Sequence, residues 1–410
     1  MHSTRGKSDC LAVLVACFPF QAGDAAAQAH VFMTSATGTG DLSSWPDASG
    51  ATGLQAADAI CRAHAEAGSL EGADDYVAWL SDSGNDAYCR AHGLGGTRSN
   101  LCGQAQEPIG AGPWSRIDGL PAMDVLPLSM GSPGFPGYQP RHVLFDESGQ
   151  PIPIGDPGMR TDLAFTATNL DGAYAGASCA DWTSGTGEVI LGSAYYGFGG
   201  FSNFMWDCNR PLRLICLRKG QHGAPISRRP PPSARIVFAS STTGNGDLGS
   251  WPGAGGATGV DAGDAVCRSE AVAAGLPLAG SFKAWLSTSS VAARDRFGFD
   301  GPWYRVDGVL VATSIADMVD GFLDAPIQMT AEGAELDRDS VWTGSNADGT
   351  GSGSDCGDWG ATAGSGEIGM TSAADAQWSE SSFFNMGCNA ALPRLYCLAD
   401  TDSLYLDGFD

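Results

Sequence analysis

The chain is one module written twice, and this constrains its fold more than any other feature. Gly38-Thr39-Gly40-Asp41-Leu42-Ser43-Ser44-Trp45-Pro46 returns as Gly244-Asn245-Gly246-Asp247-Leu248-Gly249-Ser250-Trp251-Pro252. Asp58-Ala59-Ile60-Cys61-Arg62 returns as Asp264-Ala265-Val266-Cys267-Arg268, and Ala78-Trp79-Leu80-Ser81 as Ala284-Trp285-Leu286-Ser287, all at an offset of 206. The blocks that begin Gly112-Pro113-Trp114 and Gly301-Pro302-Trp303 match at 189, so the first copy holds 17 extra residues before that point. Cys179-Ala180-Asp181-Trp182 then matches Cys356-Gly357-Asp358-Trp359, and Arg213-Leu214-Ile215-Cys216 matches Arg394-Leu395-Tyr396-Cys397. A period this long is not that of a solenoid; it predicts two similar bodies, each burying its own core.

The copies span 30–218 and 235–399. Between them 219–234, with Arg228-Arg229-Pro230-Pro231-Pro232, reads as an extended Pro/Arg-rich linker, and 400–410 is an acidic tail. The whole chain carries −24, divided as −11 and −12 for the copies, +3 for the linker and −4 for the tail. Such a balance argues against a nucleic-acid partner and against docking on anionic lipid.

Residues 1–29 have a basic start (Arg5, Lys7), an apolar run over 11–20 and a closing Ala27-Gln28-Ala29. This is the order of a secretory signal peptide, with cleavage before His30. A rival reading makes Leu14-Val15-Ala16-Cys17 a lipoprotein box with Cys17 acylated. The apolar run is too short to span a bilayer, and no later segment is longer.

Each copy opens on a β-rich run, Val31-Phe32-Met33 or Ile236-Val237-Phe238, followed by Gly-rich turns and a helix. Thr52 with Gln55, and Thr258 with Asp261, suggest capping boxes. Ala57, Ile60, Cys61, His64 and Ala65 share a helix face, as do Gly263, Val266, Cys267 and Ala271. Gly68 and Gly275 stand where left-handed C-caps are expected. The remainder is short strands and Asp-Gly turns, which makes the fold class α+β. Trp45/251, Trp79/285, Trp114/303 and Trp182/359 recur in pairs and are expected in the cores.

Twelve Cys with 3 Lys point to an oxidising compartment. The first copy has Cys61, Cys179, Cys208 and Cys216 and the second Cys267, Cys356, Cys388 and Cys397, and four cysteines allow three pairings each. Cys89 and Cys102, inside the first copy's insertion, most simply pair together. A zinc site is disfavoured: there is no Cys-x-x-Cys pair, and 235–399 contains no His.

The order of helix with Cys, Phe282-Lys283-Ala284-Trp285-Leu286-Ser287, Val341-Trp342-Thr343-Gly344-Ser345-Asn346-Ala347-Asp348-Gly349, Cys356-Gly357-Asp358-Trp359, Gly366-Glu367-Ile368-Gly369 and Leu395-Tyr396-Cys397 resembles the endostatin domain of basement-membrane collagens. It is closer still to bacterial endostatin-like secreted and surface proteins. The resemblance implies tandem C-type-lectin-like domains and nested disulfides: Cys267–Cys397 around Cys356–Cys388, and Cys61–Cys216 around Cys179–Cys208. It does not bring the Arg-rich heparin face, because both copies are acidic, nor the N-terminal zinc site, since only His30 stands near the mature N-terminus. The Glu-Pro-Asn and Trp-Asn-Asp signatures of calcium-dependent lectins are also missing, and Trp206-Asp207-Cys208 is a faint echo of the latter.

Carboxylates at matched places include Asp118/Asp307, Asp171/Asp348, Asp181/Asp358 and Glu188/Glu367. Asp171, Asp181, Asp348 and Asp358 are calcium candidates, since a hard cation takes its ligands from oxygen-rich loops; the competing reading is that the Asp-Gly pairs make turns. No other cofactor is expected. Tyr195, Tyr196, Phe198 and Phe201 on a Gly-flexed loop, with Trp206 and Trp378, are candidate ligand contacts. The cystine-clamped insertion 82–111 is a second surface particular to copy one. His64, His92 and His142 are lone histidines of that copy. The expectation is a secreted, non-catalytic binding or adhesion protein that recognises an extracellular protein, matrix component or carbohydrate. The alternatives are an extracytoplasmic hydrolase using Asp181 and Asp358, or a structural envelope component.

Overall fold

The two copies build the same strand pattern from equivalent residues. The computed structural model describes residues 29–126, 141–143, 145–152, 163–169, 171–193, 205–226, 229–231, 234–336, 339–381 and 385–401. The signal segment, the aromatic loop with Tyr195, Tyr196, Phe198 and Phe201, and most of the tail lie outside the described residues.

In each repeat the C-terminal strand is the axis of an α+β body. Arg213–Arg218 pairs antiparallel with Val31–Met33 and with Tyr76–Ala78, and parallel with Leu163–Phe165. Beyond that come Glu188–Ser193 and Met205–Asp207. Arg394–Ala399 does the same with Arg235–Ala239, Phe282–Ala284 and Ser340–Trp342. The register repeats as well: Phe32 faces Cys216, and Phe238 faces Cys397.

The long helices Gly53–Ala67 and Gly259–Ala273 lie on these sheets through the faces expected from the sequence, with Ala57, Ile60, Cys61 and Ala65 buried in the first and Val266, Cys267 and Ala271 in the second. Cys61–Cys216 and Cys267–Cys397 staple helix to central strand, with sequence separations of 155 and 130. Inside them lie Cys179–Cys208 and Cys356–Cys388, and Cys89–Cys102 closes the insertion. None of the five bridges joins one repeat to the other. Bridges of this number fit an extracytoplasmic protein, and no helix among the described residues is long and apolar enough to cross a membrane.

All eight paired tryptophans are buried, and in three of the four pairs the indoles repeat their bonds. Trp182 Nε1 donates to Ser81 O at 2.9 Å and Trp359 Nε1 to Ser287 O at 2.8 Å. Trp114 donates to Arg218 O and Trp303 to Ala399 O. A buried ring with its N–H satisfied fixes orientation as well as volume.

Two local expectations fail. Thr52 and Thr258 stand at the helix N-caps, but neither side chain makes a capping bond. The carbonyls of Asp181 and Asp358 approach there instead, 3.2 and 3.0 Å from where a Cβ on Gly53 or Gly259 would sit. Gly68 is not left-handed, with φ −75; its Cβ would lie 2.3 Å from Glu147 O, so contact rather than conformation demands glycine. Thr97, by contrast, does form a capping box with Asn100 in the insertion, and the start of the extended linker is tied down, Gly223 N donating to Gly112 O and Ile226 N to Asp124 Oδ1.

One substitution between the copies shows how the sheet entrance is held. In repeat two Glu270 accepts from Ser241 N and Thr242 N at 2.8 and 2.9 Å. The equivalent of Glu270 is His64, and in repeat one Glu147, from a distant loop, accepts from Ser35 N at 2.9 Å. His64 Nδ1 lies 2.8 Å from Glu147 Oε1. Burial works to raise the Glu147 carboxyl, but hydrogen bonds from His64 and Ser35 outweigh it and hold the group at about 2, against an ordinary 4.5. A depressed carboxylate contributes stability that is complete above 4.5 and fades as pH falls toward 2. The wild type should therefore lose stability over that window, by up to ~3 kcal/mol. Glu147→Gln should start lower and show a flatter profile, which denaturant unfolding between pH 6 and 2 would measure.

Candidate functional site

Among the described residues the longest run of left-handed backbone is the Cys-x-Asp-Trp turn, present in both repeats. Cys179, Ala180, Asp181 and Trp182 have φ of 53, 53, 54 and 67, and Cys356, Gly357, Asp358 and Trp359 have 52, 63, 54 and 66. Runs of left-handed residues cost roughly 1–2 kcal/mol for each non-glycine position, and persist only where the surroundings over-determine them. Here the disulfide holds one end and the buried Trp the other, while the Asp carboxylate reaches a separate loop. Asp181 accepts from Ser83 N at 3.0 Å, Ser83 Oγ at 2.6 Å and Ser178 Oγ at 2.9 Å. Asp358 accepts from Ser289 N and Oγ at 2.8 and 3.1 Å.

These contacts set the charge state. Burial acts to raise Asp181, but the Ser83 hydroxyl and N–H and the Ser178 hydroxyl hold it below the ordinary aspartate value. Asp358 is likewise lowered, by the backbone and side chain of Ser289. Both stay ionised and saturated by local donors, a poor starting point for proton transfer. The aspartates named as calcium candidates also have local roles. Asp171 Oδ1 accepts from Ala173 N, and Asp348 Oδ1 from Thr350 N, so these aspartates close the turns on which they lie. Among the described residues no three His, Cys, Asp or Glu side chains are disposed to hold a metal ion. Nor do the histidines converge: His64 meets Glu147, His92 Nδ1 lies 2.9 Å from Tyr88 O, and His142 is buried elsewhere.

Beside the Asp181 turn, the cystine-clamped insertion of repeat one opens a cleft of about 480 Å³, lined by Ser83, Asp86, Thr97, Arg98, Ser99, Glu107, Asp171 and Tyr174. This lies within the range of ligand sites, roughly 300–1,000 Å³. Its walls are rigid. Asp86, 2% exposed, ties together two loops by accepting from Tyr174 N and Arg98 N. Arg98 is fixed by ion pairing with Glu107 and by stacking 4.5 Å above the Tyr88 ring, and it donates to Asp171 O. In repeat two Arg294 still donates to Asp348 O. The Cys89–Cys102 loop has no counterpart there, so the cleft walls built from it belong to repeat one alone.

The insertion was legible in the sequence as a surface, but Arg98, Glu107 and Tyr174 were not; the clue is the spare cystine, which rigidifies whatever it encloses. Trp206 is half-buried, with Arg210 stacked 4.4 Å above its ring. Trp378 must be removed from the ligand candidates: it is wholly buried, packed 5.1 Å from Trp285 and 5.7 Å from Tyr396. No family model matches the chain, and a search of curated proteins finds no relative.

Proposed function

We propose that the chain is an extracytoplasmic, non-catalytic binding protein of two endostatin-like, lectin-type modules, which takes a carbohydrate ligand in the cleft of the first. The observation that carries this reading is the cleft itself. Ser83, Thr97, Ser99 and the charged pair Arg98–Glu107 line one open space and are held in place by their own hydrogen bonds before any ligand arrives. Fixed donors and acceptors beside an aromatic ring suit a polyhydroxylated ligand, because little side-chain entropy is lost on binding. The nested bridges around a paired first and last strand support the lectin-type reading of each repeat. The rival, a carboxylate hydrolase, requires an acid and a base with separated proton affinities, whereas Asp181 and Asp358 are both held ionised.

A glycan array followed by calorimetry on the mature protein tests this. Arg98→Ala and Glu107→Gln should each weaken binding at least tenfold, with the circular dichroism unchanged. An array with no response, or variants that bind as the wild type does, would remove the cleft as the site. Turnover of any arrayed glycan that disappears in Asp181→Asn would instead establish the hydrolase.

A further inference from the structure

The repeats meet beside two equivalent hairpins but not symmetrically, since Arg116 crosses to Asp324 whereas Arg305 donates to Pro326 O of its own repeat. The hairpin of Trp114–Ser115 with Pro121–Met123 corresponds to that of Trp303–Tyr304 with Leu310–Ala312. Each carries a buried arginine bonded to the aspartate two residues on: Arg116 to Asp118, and Arg305 to Asp307. Arg116 crosses to repeat two, donating to Asp324 O at 3.2 Å and approaching Asp324 Oδ1 at 3.4 Å. Arg141 reaches Pro121 O at 3.4 Å and Leu310 O at 3.5 Å. Those two carbonyls are equivalent positions of the two copies, so Arg141 spans both repeats. Next to it is His142, 4% exposed.

We infer that this face is an acid-releasable latch: at neutral pH it docks the repeats as one rigid body, and protonation of His142 lets them part. Among the described residues three arginines (Arg116, Arg141, Arg305) meet three aspartates (Asp118, Asp307, Asp324) here, with Asp317 and Asp320 at the edge of the groove and His142 neutral beside the arginines. A proton on His142 adds a fourth cation to a site where water cannot screen it. Burial, with Arg116 and Arg305 as lesser causes, lowers His142 from 6.5 to about 3. The sign follows. A histidine with a depressed docked value favours docking fully above 6.5, and that preference is lost as pH falls toward 3. Asp324 acts in the opposite sense, because burial raises its carboxyl, although Arg116 and Arg141 pull it back. Of the other groups at this face, Arg141 is lowered to about 10 and stays charged across the range. Asp317 faces Asp324 across the groove beside Arg116, but its Oδ2 is engaged by Thr313 N at 2.6 Å. His142 therefore governs the window above the carboxylate range.

The latch is tested on the mature full-length protein by small-angle scattering and by limited proteolysis in 219–234, from pH 7.5 to 4. The ratio of parted to docked forms should rise about tenfold per pH unit below 6.5, seen as a growing radius of gyration and faster linker cleavage, and should reverse on neutralisation. His142→Gln should remain docked throughout. Asp324→Asn, which leaves the arginines in excess, should part already at pH 7.5. An unchanged radius down to pH 4, a His142→Gln protein that opens as the wild type does, or an Asp324→Asn protein that remains docked would each overturn the latch. The five disulfides keep both bodies closed in these variants, and far-UV circular dichroism separates parting from unfolding.

Discussion

Replacing Cys61 and Cys216 together by alanine should destabilise the first repeat by about 5 kcal/mol, the largest effect of the three bridges in that repeat. The bond closes a loop of separation 155, against 29 for Cys179–Cys208 and 13 for Cys89–Cys102. If the stabilisation comes from restricting the unfolded chain, it grows with the logarithm of loop length. The three bridges should then rank at about 5, about 3.6 and about 3 kcal/mol. The long bridge also carries the helix, because Cys61 is its only covalent tie to the central strand. Its loss should therefore speed amide exchange at Val31–Met33 and Arg213–Arg218 while leaving Arg235–Ala239 protected. Denaturant midpoints for the three double-alanine variants, measured together, check the ranking. If removing Cys89–Cys102 costs as much as removing Cys61–Cys216, chain entropy is not what these bonds contribute.

The second large effect belongs to Gly40 and Gly246. A Cβ on Gly40 would stand 2.3 Å from Cys179 Sγ, and one on Gly246 2.4 Å from Cys356 Sγ. Neither glycine has positive φ, so the demand is for space against a disulfide rather than for backbone freedom. Gly40→Ala should cost about 3 kcal/mol or more, because neither the sulfur nor the left-handed turn behind it has room to retreat. Gly280 provides the contrast: nothing lies within 4 Å of its added Cβ and its φ is ordinary, so Gly280→Ala should be neutral or slightly stabilising. Gly50→Ala, open in space but at φ +77, should fall between them, at about 1 kcal/mol. Thermal midpoints of the three variants separate crowding from conformation.

What the sequence disclosed was whatever the duplication made visible twice. Matched tryptophans pointed to the cores, the helix faces followed from spacing, and the α+β pattern from alternating run lengths. The capping boxes misled because an Asp181 or Asp358 carbonyl occupies the helix entrance, a contact made across a hundred residues or more of chain. Asp171 and Asp348 close the turns on which they lie, and a turn and a metal loop draw on the same residue types, so spacing alone did not separate the two readings. Arg116, Arg141 and His142 carried no signal of burial, since charged residues are ordinarily exposed. One trace was available: Trp114-Ser115-Arg116-Ile117-Asp118-Gly119 recurs as Trp303-Tyr304-Arg305-Val306-Asp307-Gly308, and an arginine repeated two places before an Asp-Gly turn has a purpose beyond solubility. Arg98 had no such trace, because its loop exists only once.

The exchange of Glu270 for the His64–Glu147 couple bears on how freely the two halves of the gene can trade parts. Recombination that carried the second helix into the first half would set a glutamate where His64 stands, facing Glu147, and bring two anions together beside the N–H and hydroxyl of Ser35. The reciprocal transfer would leave the N–H groups at Ser241 and Thr242 with no acceptor at all, because Ala331 occupies the place of Glu147. Each half has become the wrong donor for the other, so copies that began as duplicates are now held apart by their own chemistry.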